Sequence, residues 1–388
     1  MFYNSKQKRI AQTGRNKAMI DRWIAEATEC DFKVALEVRK PKSWLKSISA
    51  FANGIGGTLF FGIDDNRNVV GLADAQADAE AISRLIKERI TPYPNFILTP
   101  EHENGRDILI LSVSAGPSTP YYYKADGVME AYIRIGNESV MAPSYVLNQL
   151  LLKGMNHTFD ALISEYNFKD YAFSKLRERY KVWTGNSMEE KLFDSFEIRN
   201  EYDKLTNAGA LLADDAPIKQ SRLFCTRWNG LDKSGGILYA LDGAEYSGSL
   251  IILLNEGVSF VKRNMKTRWK KTANSRIEMP DYCERSVFEA LVNALIHRDY
   301  LILGSEVHID IYDDRLTITS PGGMADGTRI QERDIFNISS TRRNPVLADI
   351  FGRLGYMERQ GSGFRKITEA YHAAHNYRDE LEPKFYSD

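Results

Sequence analysis

The 388-residue sequence lacks the features that define several large protein classes. Its three cysteines, Cys30, Cys225 and Cys283, stand far apart and form no Cys-x-x-Cys pair. This spacing excludes a disulfide framework and a zinc knuckle, and it predicts free thiols in a reducing, cytoplasmic compartment. There is no apolar run long enough to cross a membrane, no signal-peptide pattern, no internal repeat and no low-complexity segment. We therefore expect a globular protein without membrane contact.

The sequence also lacks an excess of either charge. Its 51 Lys and Arg residues face 52 Asp and Glu residues, which leaves a formal net charge of −1. No global field then draws the chain onto nucleic acid, so any such binding must come from local patches. The hydrophobic fraction of 43% and the chain length suffice for two or three domains with substantial cores.

One stretch, from Cys283 to Tyr300, contains neither Gly nor Pro. Glu289, Asn293 and His297 recur there every fourth residue, so we expect them on one face of a helix. A carboxylate that can activate water, one turn from an amide that can ligate Mg²⁺, suits hydrolysis of a phosphoanhydride. A solvated polar helix face explains the stretch equally well when it is taken alone. The apolar residues that predict the helix recur at helical spacing: Phe288, Leu291, Val292, Leu295 and Ile296.

The residues that follow favour the phosphate-binding interpretation. Alternating residues from Val307 to Ile318 predict a strand hairpin, which ends at Ser320-Pro321-Gly322-Gly323. Further on, Gly361-Ser362-Gly363 precedes a predicted helix over 365–374. Glycines just before a helix let the backbone approach phosphates. A single Gly-x-Gly is weak evidence, but the order of helix, hairpin, glycine pair, Gly-x-Gly and helix is specific.

In this order the motifs resemble those of the GHKL ATPases, in the divergent form carried by bacterial ATP-binding regulators. Glu289 to Tyr300 resembles the N-box, and Ser320 to Gly323, Arg343-Asn344-Pro345 and Gly361 to Gly363 resemble the later motifs. The resemblance implies an α/β sandwich of the Bergerat type that holds ATP and Mg²⁺. It implies that Glu289 is the general base and Asn293 a magnesium ligand. The other nucleotide-binding residues that it implies are His297, Arg298, Asp299, Gly322, Gly323, Arg343, Gly361 and Gly363.

One departure from the GHKL pattern concerns the base of the nucleotide. Typical members place an Asp ahead of the first glycine motif, where it hydrogen-bonds the adenine amine. Ser320 and Pro321 stand at that place here. The resemblance therefore implies ATP binding more strongly than adenine selectivity or hydrolysis.

The first third of the chain predicts a second α/β unit. The stretch from Ile48 to Asp64, with its Ala-Asn-Gly core, resembles the AlbA-like domain of Schlafen proteins, as do Cys30 to Lys33 and Tyr132 to Gly136. The resemblance covers about residues 26–145 and implies contact with DNA or RNA, in which we include Lys33. AlbA-like domains often associate, so a homo-oligomer is expected. The elements predicted here are strands at 32–38, 58–63, 108–113 and 131–135 and helices at 24–28, 43–53 and 75–90.

Some Schlafen proteins use this domain as a metal-dependent nuclease. Their three carboxylates would correspond to Glu26, Asp31 and Asp64, and such a cluster around Mg²⁺ or Mn²⁺ can activate water. A structural interpretation competes with this one, because Asp64 suits a turn and Asp31 is one methylene shorter than the family's Glu. Most bacterial relatives are regarded as DNA-binding regulators.

Two basic segments are further candidates for nucleic-acid contact. The first two dozen residues form a basic arm or a solvated terminus. The second segment, spread over a predicted helix, could follow a phosphate backbone, with an indole stacked on an unpaired base. It could instead contact ATP phosphates or be a solvated face. Its residues are Lys262, Arg263, Lys266, Arg268, Trp269, Lys270 and Lys271.

These patterns predict an α/β chain with four parts. They are a basic extension (1–22), a Schlafen AlbA-like domain (23–145), a mostly helical connector (146–204) and a GHKL-like domain (205–388). The chain ends at Asp388 without the winged helix of many relatives, which argues against a sequence-specific repressor. The expected function is ATP binding, with or without hydrolysis, that gates engagement of DNA or RNA. The alternatives are a nuclease effector in defence, and a non-catalytic transcription regulator with structural ATP.

Overall fold

The computed structural model describes residues 29–233, 239–325, 328–335, 337–338, 341–357 and 363–387. The chain divides into two compact units, Met1–Asn156 and His157–Asp388. The predicted basic extension and the predicted helix at 24–28 lie outside the described residues. Mixed α/β structure is confirmed in both units.

The first unit contains two sheets and three helices in its described part. The sheets have the strand orders β1-β2-β5-β4 and β3-β6-β7-β8. Strands β1 and β2 run parallel, and the other paired strands are antiparallel. The elements are β1 (Cys30–Lys33), α1 (Lys42–Asn53), β2 (Gly57–Phe61), α2 (Ala75–Arg89), β3 (Ile90–Thr91), β4 (Phe96–Glu103), β5 (Arg106–Val113), β6 (Tyr122–Ala125), β7 (Val128–Ile135), β8 (Glu138–Met141) and α3 (Ser144–Gly154).

Helix α1 packs against both sheets of the first unit. Its residues Leu45, Ile48 and Phe51 recur at helical spacing and are fully buried. The chain then turns at Gly56, which has a φ of +93° and whose Cβ would lie 2.9 Å from the carbonyl oxygen of Val113. A glycine is therefore required for the turn that leads directly into buried strand β2.

The second unit is built around the sheet β12-β11-β15-β16, in which β11 and β15 are parallel. The β15–β16 pair is the hairpin predicted from the sequence. The elements are β9 (Ile163–Asn167), α4 (Ser174–Thr184), α5 (Glu190–Ser195), β10 (Lys204–Thr206), α6 (Asn207–Leu212), β11 (Arg222–Trp228), β12 (Ala240–Ser247), α7 (Leu250–Asn264), β13 (Thr267–Lys271), β14 (Arg276–Pro280), α8 (Glu284–Ile296), β15 (Val307–Ile311), β16 (Leu316–Thr319), α9 (Pro345–Arg353) and α10 (Gly363–His372).

Helix α8 is held at the centre of this unit, between α7 and α10. A Cβ on Gly257 of α7 would lie 2.5 Å from Cδ2 of Leu291, so the absence of a side chain lets the two helices approach closely. On the other side, the Ser286 hydroxyl donates to the carbonyl of Ile367 at 2.9 Å. Because both neighbours are fixed, the polar face of α8 has a defined position relative to the start of α10.

Within the range predicted as a connector (146–204), Leu176, Phe193 and Ile198 are fully buried in the core of the second unit. One element differs from the sequence prediction. The helix predicted for the second basic segment is wrong beyond Asn264, where α7 ends. The residues that follow pair as strands β13 and β14, since Thr and Trp favour extended backbone and the segment has no apolar helical stripe.

Candidate functional site

The polar face of α8 meets the first residue of α10. A Cβ built on Gly363 would lie 3.0 Å from Oε1 of Glu289 and 2.9 Å from Nδ2 of Asn293. Both side chains are partly exposed, and they lie one turn apart on the helix. The structure therefore brings Glu289 and Asn293 together with Gly363 of the second glycine motif. Gly361 lies outside the described residues.

His297 ends helix α8, and its backbone N–H donates to the carbonyl of Asn293 at 2.9 Å. Burial lowers the pKa of His297 to about 4, and the nearby positive charges of Arg343 and Arg342 act in the same direction. The imidazole is therefore neutral near pH 7. It can exchange hydrogen bonds with a ligand without adding charge to the site.

Arg298 faces the protein interior and is 1% exposed. Its Nη1 donates to the carbonyl of Asp299 at 2.8 Å, and its Nη2 donates to the carbonyls of Ile302, at 3.2 Å, and Ser305. Removing a fully buried guanidinium would leave these carbonyls without donors. Arg298 thus fixes the loop after α8, and the structure provides no exposed surface through which it meets a nucleotide directly.

Asp299 and Arg343 join the N-box to the later motifs. Nη1 of Arg343 lies 2.6 Å from Oδ2 of Asp299, and its Nη2 donates to the carbonyl of Gly323 at 2.6 Å. Gly322 has a φ of +100°, and a Cβ on it would lie 2.6 Å from Nη1 of Arg343. Asp299, Gly322, Gly323 and Arg343, which the sequence separates by up to 44 positions, therefore meet at one place.

Ser320 stands where the GHKL resemblance would place an adenine-binding Asp, and it is hydrogen-bonded within the fold. The Ser320 hydroxyl donates to the carbonyl of Ala294 in α8 at 2.6 Å. The adjoining motif is fixed in a similar way, because Nδ2 of the fully buried Asn344 donates to the carbonyls of Ile296 and Arg298 at 2.8 and 2.9 Å. The motif from Ser320 to Gly323 and the Asn344-Pro345 motif are thereby both attached to the C-terminal end of α8.

Asp160 is a buried framework residue that sequence reasoning missed. It is fully buried, and its carboxylate accepts from the Thr158 hydroxyl at 2.6 Å and from the backbone N–H of Leu347 at 3.0 Å. Burial raises the pKa of this carboxyl. The neighbouring Phe159 ring stacks on Tyr300 at a centroid distance of 5.6 Å. This segment therefore contacts both the end of the N-box and the first turn of α9.

In the first unit, the predicted nuclease carboxylates have internal partners. Asp31 is buried and accepts from Nζ of Lys33 and from the Ser47 hydroxyl, each at 2.6 Å. Asp64 closes a turn by accepting from the backbone and side-chain amides of Asn68 at 2.7 and 2.9 Å, and the side-chain hydrogen bond is the main cause of its lowered pKa. Glu26 lies outside the described residues. Within the described ranges, no group of three His, Cys, Asp or Glu side chains is placed to hold a metal ion.

The Ala-Asn-Gly core that identifies this unit from sequence has a structural role for its Asn. Nδ2 of Asn53 donates to the carbonyls of Tyr121 and Tyr132 at 3.0 Å each, and its Oδ1 accepts from the backbone N–H of Tyr121 at 2.7 Å. Asn53 therefore attaches helix α1 to the β3-β6-β7-β8 sheet.

The second basic segment divides into two parts. Lys262 and Arg263 lie on the last turn of α7, where they pair with Glu284 at 2.7 Å and with Asp242 at 2.9 Å. The remaining residues, Lys266, Arg268, Trp269, Lys270 and Lys271, lie on or beside exposed strand β13.

Two family models match this chain. The model described as "Schlafen, AlbA_2" matches residues 26–143, and the model described as "Putative ATP-dependent DNA helicase recG C-terminal", of the HATPase_c_4 type, matches residues 304–387. The chain joins a Schlafen AlbA_2 domain to a RecG-type HATPase domain. Glu289 and Asn293 precede the second matched range, whereas Gly322, Gly323, Arg343 and Gly363 lie within it.

No curated protein matches the chain. Among solved structures, it is similar to the DIP2311 protein from Corynebacterium diphtheriae, with 18% identity over 95% of this chain and 76% of that chain and a TM-score of 0.47. It is also similar to the N-terminal domain of a "Putative ATP-dependent DNA Helicase RecG-related Protein" from Nitrosomonas europaea, with 23% identity, coverage of 32% and 92%, and a TM-score of 0.24. In the part of the chain that the structure describes, no helix is both long and apolar enough to span a bilayer.

Proposed function

We propose that the RecG-type HATPase domain binds ATP with Mg²⁺ and that the Schlafen AlbA_2 domain engages DNA or RNA under control of that nucleotide. The proposal depends above all on the packing of Glu289 and Asn293 against Gly363 at the start of α10. A carboxylate, an amide oxygen and a glycine share one small space there. These groups fit a magnesium–phosphate ligand, because Mg²⁺ prefers oxygen donors and the N–H groups at a helix start suit phosphate oxygens.

The chain's own residues would divide the work as follows. Glu289 would orient and deprotonate the attacking water, and Asn293 would hold the metal through its amide oxygen. Bound Mg²⁺ would neutralise charge on the phosphates. Neutral His297 would accept or donate a hydrogen bond, and Arg343 would keep Gly323 in position through the contact described above.

We expect the site to discriminate only weakly between adenine and guanine nucleotides. The Ser320 hydroxyl already donates to Ala294, and serine offers no carboxylate to accept from the adenine amine. We therefore expect ATP and GTP to bind with affinities within about tenfold of each other, since no buried polar group would be left unpaired by the exchange.

Asp160 and Phe159 offer a route by which nucleotide state reaches the first unit. Phe159 lies two residues and Asp160 three residues after His157, where the second unit begins. Phe159 contacts Tyr300, and Asp160 contacts Leu347. A contact between Arg343 and the γ-phosphate would compete with its bonds to Asp299 and Gly323, and this would shift α9 and the end of the N-box. Because Asp160 is bonded to that helix, the shift would be passed to the chain segment that leads back to the AlbA_2 domain.

The proposal is tested by paired assays on the full chain, with E289A and N293A beside the matched control E284A, which removes an exposed carboxylate from the same helix. We expect E289A to retain ATP and to lose phosphate release by about 100-fold or more. N293A should lose the magnesium-dependent part of ATP binding, and E284A should resemble the wild type. A wild type that binds no ATP refutes the proposal.

Gating is measured separately, as the affinity for labelled DNA and RNA with and without ATP and Mg²⁺. Equal affinities would exclude gating. Tight nucleotide retention without turnover, unchanged in E289A, would instead indicate a regulator with structural ATP.

The nuclease alternative receives no support from the described carboxylates, because Asp31 and Asp64 are each engaged within the fold. The same assays can test it if the integrity of the labelled DNA and RNA is measured. Metal-dependent cleavage by the wild type that is abolished in a folded D64A variant would establish a nuclease site at Asp64.

A further inference from the structure

The hairpin of β13 and β14, which we call the basic hairpin and define as residues 266–281, extends from the second unit. All residues of β13 are exposed, and within the described residues its two strands pair only with each other. The base of the hairpin is closed where the backbone N–H of Lys266 donates to Oδ2 of Asp281 at 3.0 Å and that of Asp281 donates to the carbonyl of Lys266 at 2.9 Å. The hairpin is thus a defined ribbon with β13 exposed along its whole length, and the end of β14 is held where Nδ2 of Asn376 donates to the carbonyl of Pro280 at 3.1 Å.

The hairpin is strongly basic in a chain whose net charge is −1. Its two acidic residues each meet one cation, with Arg268 3.0 Å from Asp281 and Arg276 2.6 Å from Glu278. Exposed pairs of this kind contribute at most about 1 kcal/mol, so a phosphate can replace either carboxylate. Its five cations are Lys266, Arg268, Lys270, Lys271 and Arg276.

An aromatic ring lies among these charges. Directly opposed residues of an antiparallel pair project to the same face, and here Trp269 opposes Glu278 while Lys271 opposes Arg276. Positions 269 and 271 also share a face, since side chains alternate along a strand. Trp269, which is 54% exposed, therefore has two cations as neighbours on one face of the ribbon.

We propose that the basic hairpin binds single-stranded nucleic acid, with Trp269 stacked on an unpaired base and Lys271 and Arg276, on the same face, on the flanking phosphates. Charge complementarity indicates the polyanion, and the exposed indole distinguishes a single strand from a duplex, whose bases are already stacked. The inference deepens the proposed function and rests on it. Only two residues, Tyr282 and Cys283, separate the hairpin from α8, so a bound strand would lie next in sequence to the helix that carries Glu289.

The test is fluorescence anisotropy with labelled DNA and RNA single strands of about 20 nucleotides and a duplex of equal length, using the full chain. The variant W269A/K271A/R276A is compared with W183A/K169A/K181A. The control likewise removes an indole of similar exposure (57%) and two exposed cations, here lysines, from the same unit. We expect the hairpin variant to bind single strands at least about tenfold more weakly, since the lost stacking contributes about fivefold or more and two lost phosphate contacts add to it. Its salt dependence should fall by about 1.4 in slope, from two lost phosphate contacts.

Each outcome has a distinct meaning. Wild-type binding that is unchanged in the hairpin variant, or reduced equally in the control, overturns the hairpin assignment and leaves the proposed function standing. Weaker binding of the duplex by the hairpin variant, with unchanged binding of single strands, also overturns the assignment. A wild type that binds no nucleic acid contradicts both. Melting temperatures equal to that of the wild type establish that the variants fold. If the triple variant does not fold, W269A alone is used, with an expected loss of affinity for single strands of about fivefold or more.

Discussion

Substituting Gly363 by alanine should separate stability from activity at the candidate site. The backbone of Gly363 is not left-handed, so alanine fits it, and its helix propensity is more favourable than that of glycine by up to about 1 kcal/mol. The added Cβ would lie 2.9 Å from Asn293 and 3.0 Å from Glu289, and ordinary contacts begin at 3.4 Å. The two side-chain ends must therefore move by roughly half an ångström, which flexible side chains do at little cost in folding free energy.

Such a displacement matters for chemistry, because catalytic groups must be held to within about 0.5 Å of their productive positions. We expect G363A to unfold in urea within about 1 kcal/mol of the wild type, while phosphate release from ATP falls roughly tenfold or more. Unfolding and steady-state turnover are measured on the same preparation. A folded G363A with wild-type turnover would refute the placement of Glu289 and Asn293 at the reaction centre.

Three further predictions concern the framework of the site. D160A leaves the buried N–H of Leu347 without its acceptor and should lower the free energy of unfolding by about 2–4 kcal/mol. D160N keeps an acceptor and should lower it by less than about 1 kcal/mol. Equal losses for the two variants in urea denaturation would count against the contact. The pKa of His297 is about 4 in the folded protein, below its ordinary 6.5, so the unfolded chain takes up the proton first as the pH falls. The free energy of unfolding should therefore fall by up to about 3 kcal/mol between pH 6.5 and pH 4. H297Q should flatten this part of the profile of melting temperature against pH, and parallel profiles for wild type and variant would contradict the prediction. G322A should lower the free energy of unfolding by about 1–3 kcal/mol through backbone strain, and it should also weaken ATP binding. G304A has a similarly positive φ but open space around it, so it should keep its ATP affinity in titration calorimetry. Equal ATP affinities of the two variants would exclude the contact of position 322 with Arg343 as the cause.

The sequence predicted those elements whose structure is decided by local spacing. The apolar repeat between Cys283 and Tyr300 predicts a helix, and α8 spans Glu284–Ile296 within it. The alternation after Val307 likewise predicted the β15–β16 hairpin. In both cases one face is buried, so the periodicity of the side chains reports the backbone directly.

Long-range partners left no such signal. Asp160 bonds a residue 187 positions away, and Asn53 bonds the carbonyls of residues 68 and 79 positions away. A single polar residue in a sequence does not indicate which distant amide it will meet, so Asp160 was missed and the structural role of Asn53 was unforeseen. The residues from Thr267 to Lys271 were assigned to the wrong element for a related reason: the whole strand is exposed, so no burial pattern marks its period.

Glu289, Asn293 and Gly363 are proposed to form a binding site for ATP and Mg²⁺. The decisive experiment is equilibrium titration of ATP into wild type, N293A and E284A, with and without Mg²⁺. We expect saturable binding by the wild type and E284A that tightens with Mg²⁺, and loss of that tightening in N293A. Absence of saturable binding, or the same magnesium dependence in all three proteins, would contradict it.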